Sequence, residues 1–144
     1  MTDRFVVAYD GSDAARRALD HAVALALGSG AEIVLAHVLE WSPYSFLTAE
    51  ELAERHKRRN EELERARTAV VAPALKVVTA SGLTVETDIR YGHVAETLVA
   101  IAEEAGAAQI IIGRTGQSTM VSRLFGSVAG TLAQIAPVPV TIVP

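Results

Sequence analysis

The sequence predicts an α/β fold: a five-stranded parallel open sheet in the order 3-2-1-4-5, with helices on both faces. Three observations lead there. Short apolar runs alternate with stretches of helical periodicity, which is the pattern of strands joined by crossover helices. Three of the runs are continuously apolar (Phe5-Val6-Val7, Ile33-Val34-Leu35 and Ile110-Ile111-Ile112), as strands covered on both faces must be. The other two read as edges. One alternates, with Val85, Thr87, Ile89 and Tyr91 opposed to Glu86, Asp88 and Arg90, and the last is bracketed and interrupted by prolines at 137, 139 and 144, which a central strand does not tolerate. Right-handed crossovers then make 3-2-1-4-5 the simplest order.

Each element follows from local chemistry. The first strand covers 4–9. Ser12 is placed to cap the first helix, whose inward stripe is Ala15, Ala18, Leu19, Ala22, Val23 and Ala26, and Gly28 or Gly30 ends it. The second strand runs from Ile33 to Leu39. Trp41-Ser42-Pro43-Tyr44 then opens a long connection to residue 82. Within it Thr48 and Glu51 make a capping box, with Leu47 and Leu52 as the accompanying apolar staple. That helix has only a thin stripe (Leu52, Leu63, Ala66, Val70) and charged flanks, so it belongs on the surface. Pro73 should kink or split it, and Ser81-Gly82 ends it. The third strand is 84–91. A helix over 94–105 turns Val94, Leu98, Ile101 and Ala105 inward and is capped by Gly106. The fourth strand is Gln109 to Ile112, a Gly/Ser/Thr-rich loop leads into a helix ending near Ile135, and the fifth strand is Val138 to Val143.

At 144 residues the chain is expected to form one domain over 1–144. Thirteen basic and seventeen acidic residues leave a net charge of -4, and the basic residues at 55–67 are interleaved with glutamates, so no nucleic-acid partner is expected. The absence of cysteine excludes a disulfide framework, a thiolate metal site and a cysteine nucleophile, and fits a reducing compartment. The chain starts directly on a strand-like run, and no apolar stretch approaches the roughly 20 residues that span a bilayer. The expectation is a soluble cytoplasmic protein with no membrane partner.

The predicted order reverses direction between strands 1 and 4, and in open α/β sheets a ligand sits outside the carboxyl ends of the strands at such a switch. Strand 1 ends at Asp10-Gly11-Ser12 and strand 4 at Gly113, so two polar loops converge there. The second loop reads Gly113-Arg114-Thr115-Gly116-Gln117-Ser118-Thr119, and nine residues, 117–125, separate Gly116 from Gly126-Ser127-Val128. Gly113 and Gly116 let backbone N–H groups turn toward an anion, and Gly126-Ser127 offers amides, a hydroxyl and a helix dipole to a phosphate. The same residues also suit a plain strand-to-helix connection with Ser127 as its cap. Asp10 likewise reads either as a turn residue or as a site carboxylate, and its convergence with the glycine loop favours the second. This is neither a Walker A motif nor a dinucleotide fingerprint, since no Gly-Lys-Ser/Thr and no G-x-G-x-x-G is present.

The Gly-x2-Gly-x9-Gly-Ser spacing resembles the ATP-binding signature of the universal stress protein (UspA-like) family at every defined position. Val7-Ala8-Tyr9-Asp10-Gly11-Ser12, His37-Val38 and Pro137-Val138-Pro139-Val140 are similar to other parts of that family, while 41–82 carries no such signal. The resemblance implies a Rossmann-like sheet of the adenine nucleotide alpha hydrolase-like kind and ATP as ligand, with or without Mg2+. It implies that Asp10 contacts the ribose or adenine region, that the Val38 backbone pairs with adenine, and that Ile112 and Gly113 line the nucleoside. Gly116 would face the phosphates, and Gly126, Ser127 and Val128 would bind them. Arg114 and Thr115 occupy variable positions, with Arg114 or Arg123 available for phosphate charge. It also implies a homodimer through the edge strand Val138–Val143, although the prolines limit how many residues can pair.

The four histidines (His21, His37, His56, His93) are scattered without ligand spacing and read as structural or exposed, so no metal site is expected. No G-x-S-x-G elbow is present, and Asp10 is the one obvious carboxylate near the switch. A binding protein is therefore expected rather than an enzyme. The competing readings are a slow ATP hydrolase or adenylyl-transferring enzyme acting through Asp10, a cyclic AMP binder, and a nucleotide-free dimeric interaction module.

Overall fold

The computed structural model describes residues 2–40, 48–116 and 127–144. In chain order these form β1 (Arg4–Ala8), α1 (Asp13–Ser29), β2 (Glu32–Glu40), α2 (Ala49–Arg65), a π-helical segment (Ala66–Val71), α3 (Ala72–Ala80), β3 (Val85–Gly92), α4 (Val94–Ala105), β4 (Gln109–Gly113), α5 (Ser127–Ile135) and β5 (Val140–Val143). The strands make one five-stranded sheet in the order β3-β2-β1-β4-β5, parallel at every pairing. The order and the parallel sense are those expected from the apolar runs. Val6 at the centre stands beside Val34 on one side and Ile110 on the other.

The two-residue periodicity of the strands divides the core into two layers. Phe5, Val7, Leu35 and Ile111 face α1 and the π-helical–α3 stretch, packing on Leu19, Ala22, Val71 and Val78. Val6, Val34, Ile110 and Ile112 face α4 and α5, packing on Leu98, Ile101 and Leu132. Alanines at 15, 18, 22 and 26 let α1 lie close to the sheet, and of the expected stripe only Val23 is partly rather than fully buried. Ser12 caps α1, its Oγ accepting from the Ala15 N–H at 3.1 Å, and Gly30, not Gly28, ends the helix. Gly106 closes α4 in the same left-handed conformation.

The ends of β1, β2, β3 and β4 fall within one residue of the sequence expectation, and proline shapes two further boundaries. The fifth strand begins at Val140 rather than Val138. Pro137 and Pro139 have no N–H to give a ladder, but the Pro139 carbonyl still accepts from the Ile110 N–H at 2.9 Å. Pro73 does not simply kink its helix. The backbone widens into a π-helical segment over Ala66–Val71, and Pro73 falls in the first turn of α3. There its missing N–H costs no bond, while the Ala72 N–H reaches back five residues to the Arg67 carbonyl.

The helix α2 lies on the surface, as its composition predicts, and buries no residue. Thr48 caps it, accepting from the Glu51 N–H at 3.1 Å; Leu47 lies outside the described residues. Tyr91 of β3 holds it down. Its hydroxyl donates to Glu62 at 2.5 Å and lies 3.3 Å from the Arg59 carbonyl, and the Arg59 guanidinium sits 4.9 Å from the ring centroid. Desolvation and the neighbouring Glu62 push the Tyr91 hydroxyl up to about 12. On the same strand Arg90 makes a two-pronged pair with Asp88 at 2.8 and 2.9 Å and also bonds Glu104 of α4. Both carboxylates favour its charged form.

Candidate functional site

The site grows from the carboxyl ends of β1, β2 and β4. β1 stops at Ala8, and the Tyr9 N–H makes its last ladder bond, to the Ala36 carbonyl at 2.8 Å. Asp10 follows, half-buried, and its Oδ1 accepts from the Ser12 N–H at 2.9 Å. Gly11 completes the turn at φ 81°, a conformation that suits a residue without a Cβ. The turn role foreseen for Asp10 is therefore observed. Its second oxygen, Oδ2, is turned elsewhere: a Cβ added at Gly116 would stand 3.2 Å from it. The two loops at the strand switch do meet, and they meet at Asp10 and Gly116.

Gly113 has a different physical task. It is buried at the end of β4, and a Cβ there would lie 2.7 Å from the Ala14 carbonyl carbon and 2.9 Å from its oxygen. Its lack of a side chain lets β4 pass against the first turn of α1. Spacing alone did not reveal this contact, since it joins residues 99 positions apart. Beyond it the Arg114 N–H donates to the Val143 carbonyl at 2.7 Å, and the Arg114 side chain is exposed.

Val38, Ile112 and Val128 come together on the α4–α5 side. Ile112 is buried in that layer, and Val38 and Val128 are partly buried against it. Ser127 is exposed at the start of α5, its carbonyl accepting from the Thr131 hydroxyl at 2.8 Å. Gly126, Gln117-Ser118-Thr119, Arg123, Trp41 and Tyr44 lie outside the described residues.

An open cleft of about 430 Å³ is lined by Glu40 at the end of β2, by His93, Val94, Ala95 and Glu96 at the start of α4, and by Ser127, Val128 and Thr131 of α5. Two helix N-termini thus border it, each with amides that the helix itself leaves unused. Of these residues the sequence reading singled out only Ser127 and Val128 as ligand contacts. The rest were missed because β2 runs on to Glu40, whereas β1 stops at Ala8. That overhang brings the start of α4 into the wall of the cleft. The one available signal was the length of the second apolar run.

His37 is the buried polar or charged residue of the described core, 7% exposed, and its Nδ1 lies 2.7 Å from the Tyr9 carbonyl. Among the described residues no group of three or more His, Cys, Asp or Glu is placed to hold a metal ion, and no helix is long and apolar enough to cross a membrane.

The comparisons with known proteins agree with this architecture along the whole chain. The family model described as the universal stress protein family matches residues 1–144. The chain is 31% identical over 148 residues to the universal stress protein YxiE of Bacillus subtilis, covering 99% of both. Its fold superimposes on the universal stress protein UspA of Lactobacillus plantarum with a TM-score of 0.86 at 24% identity, covering 99% of this chain and 97% of that one. A universal stress protein solved in complex with cAMP is 28% identical with a TM-score of 0.67, again over 99% of this chain and 97% of that one. With the sheet order, the Asp10 turn and the Gly113–Gly116 loop in place, the whole-chain match settles the relationship: this chain belongs to the universal stress protein family.

Proposed function

We propose that this chain, acting as one domain, binds an adenine nucleotide, ATP in the first instance, at the carboxyl ends of β1, β2 and β4. It would work in the cytoplasm as a regulatory stress-response protein and not as an enzyme. The observation that carries this reading is the meeting of Asp10 with Gly116 at the strand switch, beside an apolar wall of Val38, Ile112 and Val128. That combination fits a nucleoside: a carboxylate for ribose hydroxyls, apolar side chains for a flat base, and a glycine where a side chain would intrude.

In this reading the Val38 backbone pairs with adenine, Asp10 accepts from the ribose, and Ile112 and Gly113 border the nucleoside. Gly116, Gly126, Ser127 and Val128 hold phosphate through backbone amides and the Ser127 hydroxyl, aided by the N-terminal dipole of α5. Arg114 or Arg123 supplies positive charge. A Mg2+ ion would arrive with the phosphates and keep most of its bonds to phosphate and water. Asp10 already serves its own turn through Oδ1, and one carboxylate does not make phosphoryl-transfer machinery. Binding without turnover is therefore preferred over hydrolysis.

Cyclic AMP is the second reading, favoured by the related protein solved in complex with cAMP. It would use the same base and ribose contacts with fewer phosphate ones. A homodimer paired along Val138–Val143 accompanies either ligand.

The test is to purify the protein without added nucleotide, denature it, and identify released small molecules by mass spectrometry. Calorimetry then follows with ATP, ADP, AMP and cyclic AMP on the stripped protein. Stoichiometric adenine nucleotide, or ATP binding that Gly116→Val abolishes, supports the reading. No released nucleotide and no heat with any of the four would leave an interaction module instead.

A further inference from the structure

We propose that His37 is a positioning residue: its imidazole occupies the Tyr9 carbonyl and thereby keeps the Val38 N–H out of the sheet and available to a ligand. The inference rests on the nucleotide reading above for the identity of that ligand, but its structural half stands on hydrogen bonds alone.

In a parallel ladder, alternate residues of a strand turn their N–H and C=O groups to opposite neighbours. On β2 the Ile33 N–H bonds the Thr84 carbonyl ahead of β3, while the Glu32 N–H bonds the Asp3 carbonyl and the Ala36 carbonyl accepts from Tyr9. Odd residues of β2 therefore serve β3, and even residues serve β1. Val38 is the next even residue. Its register continues Ala36 opposite Ala8, so its N–H is aimed at the Tyr9 carbonyl and would make the next rung there.

That rung is replaced. The Tyr9 carbonyl instead takes the His37 Nδ1 at 2.7 Å, and among the described residues no backbone bond runs from Val38 to Tyr9. A carbonyl can only accept, so the imidazole carries its proton on Nδ1. This bond also accounts for a polar ring buried to 7% exposure in an apolar layer, where an unpartnered ring would be costly. The consequence is local and directional. The ladder between β1 and β2 ends one rung early, and the Val38 N–H faces the switch point beside Asp10. An acceptor on a flat heterocycle placed there would complete the rung that His37 interrupts.

Amide exchange followed by NMR, without nucleotide, reads the structural half directly. In the wild type the Val38 amide should exchange at least about tenfold faster than the ladder amide of Ala36, and the His37 nitrogen shifts should report the Nδ1–H tautomer. In His37→Leu the Tyr9 carbonyl returns to Val38, so that amide becomes protected and ATP affinity falls about tenfold. His37→Asn, whose side-chain amide nitrogen takes the place of Nδ1, should restore both fast exchange and affinity.

A protected Val38 amide or an Nε2–H tautomer in the wild type overturns the proposal, as does His37→Leu binding ATP like the wild type. The two wild-type measurements decide the structural half even if the leucine variant does not fold. An exposed Val38 amide in a protein that binds no adenine nucleotide overturns the nucleotide reading alone, while supporting the hold of His37 on Tyr9.

Discussion

The Oδ2 oxygen of Asp10 and the backbone of Gly116 face one another so closely that a Cβ at position 116 would lie 3.2 Å from the oxygen. Residues 106 positions apart are brought together by the adjacency of β1 and β4, and a side chain at 116 would press on the Asp10 carboxylate.

Gly116→Val should therefore remove ligand binding without unfolding the protein. Position 116 is exposed, so the branched side chain displaces solvent and ligand, not core. Calorimetry with ATP should show at least about a tenfold loss, while stability stays within about 0.5 kcal/mol in a urea titration. A loss of stability comparable to a core mutation would show that Gly116 supports the fold instead.

Gly113→Ala should do the reverse. The added methyl must occupy space 2.7 Å from the Ala14 carbonyl carbon, and neither β4 nor the capped first turn of α1 can withdraw cheaply. Overpacking of this kind costs about 2 kcal/mol. A denaturation midpoint equal to that of the wild type would mean that α1 shifts freely.

Tyr91→Phe should loosen α2 alone. That helix buries no residue, so losing the hydroxyl bonds to Glu62 and Arg59 removes part of what ties it to β3, while the Arg59 contact with the ring stays. Hydrogen exchange over Ala49–Arg65 should accelerate severalfold, with global stability changed by less than about 1 kcal/mol. The hydroxyl is also pushed from 10.0 up to about 12. A raised pKa means that the folded state favours the neutral phenol, so its contribution is complete below pH 10 and is lost as pH rises through about 12. An absorbance titration should show a late-ionising component that is missing in Tyr91→Phe.

Ile142→Pro should separate the proposed dimer. The Pro139 and Val143 carbonyls serve Ile110 and Arg114 of the β4 side, so by alternation the Val140 and Ile142 N–H groups point to the open edge. Proline at 142 removes an outward donor and no ladder bond, which is where edge strands accept it. Light scattering should give a dimer for the wild type and a monomer for the variant. A monomeric wild type at micromolar concentration would exclude pairing along this edge.

The sequence by itself determined the sheet. Strands covered on both faces must be apolar throughout, as at Ile33-Val34-Leu35, and edges tolerate alternation and proline, as at Val85–Tyr91 and Pro139. Burial leaves a mark at every such residue, so order 3-2-1-4-5 and the place of the switch were legible, and with them the meeting of the loops that carry Asp10 and Gly116. Tertiary structure alone decided how the site is finished. Which carbonyl His37 meets, why Gly113 cannot carry a side chain, and how Glu40, His93 and Glu96 come to line one cleft all depend on where β1 stops relative to β2 and β4. So does the rung that Val38 does not make. Strand length and stagger are settled by packing between distant segments, and composition records only that a residue is buried, not what it touches.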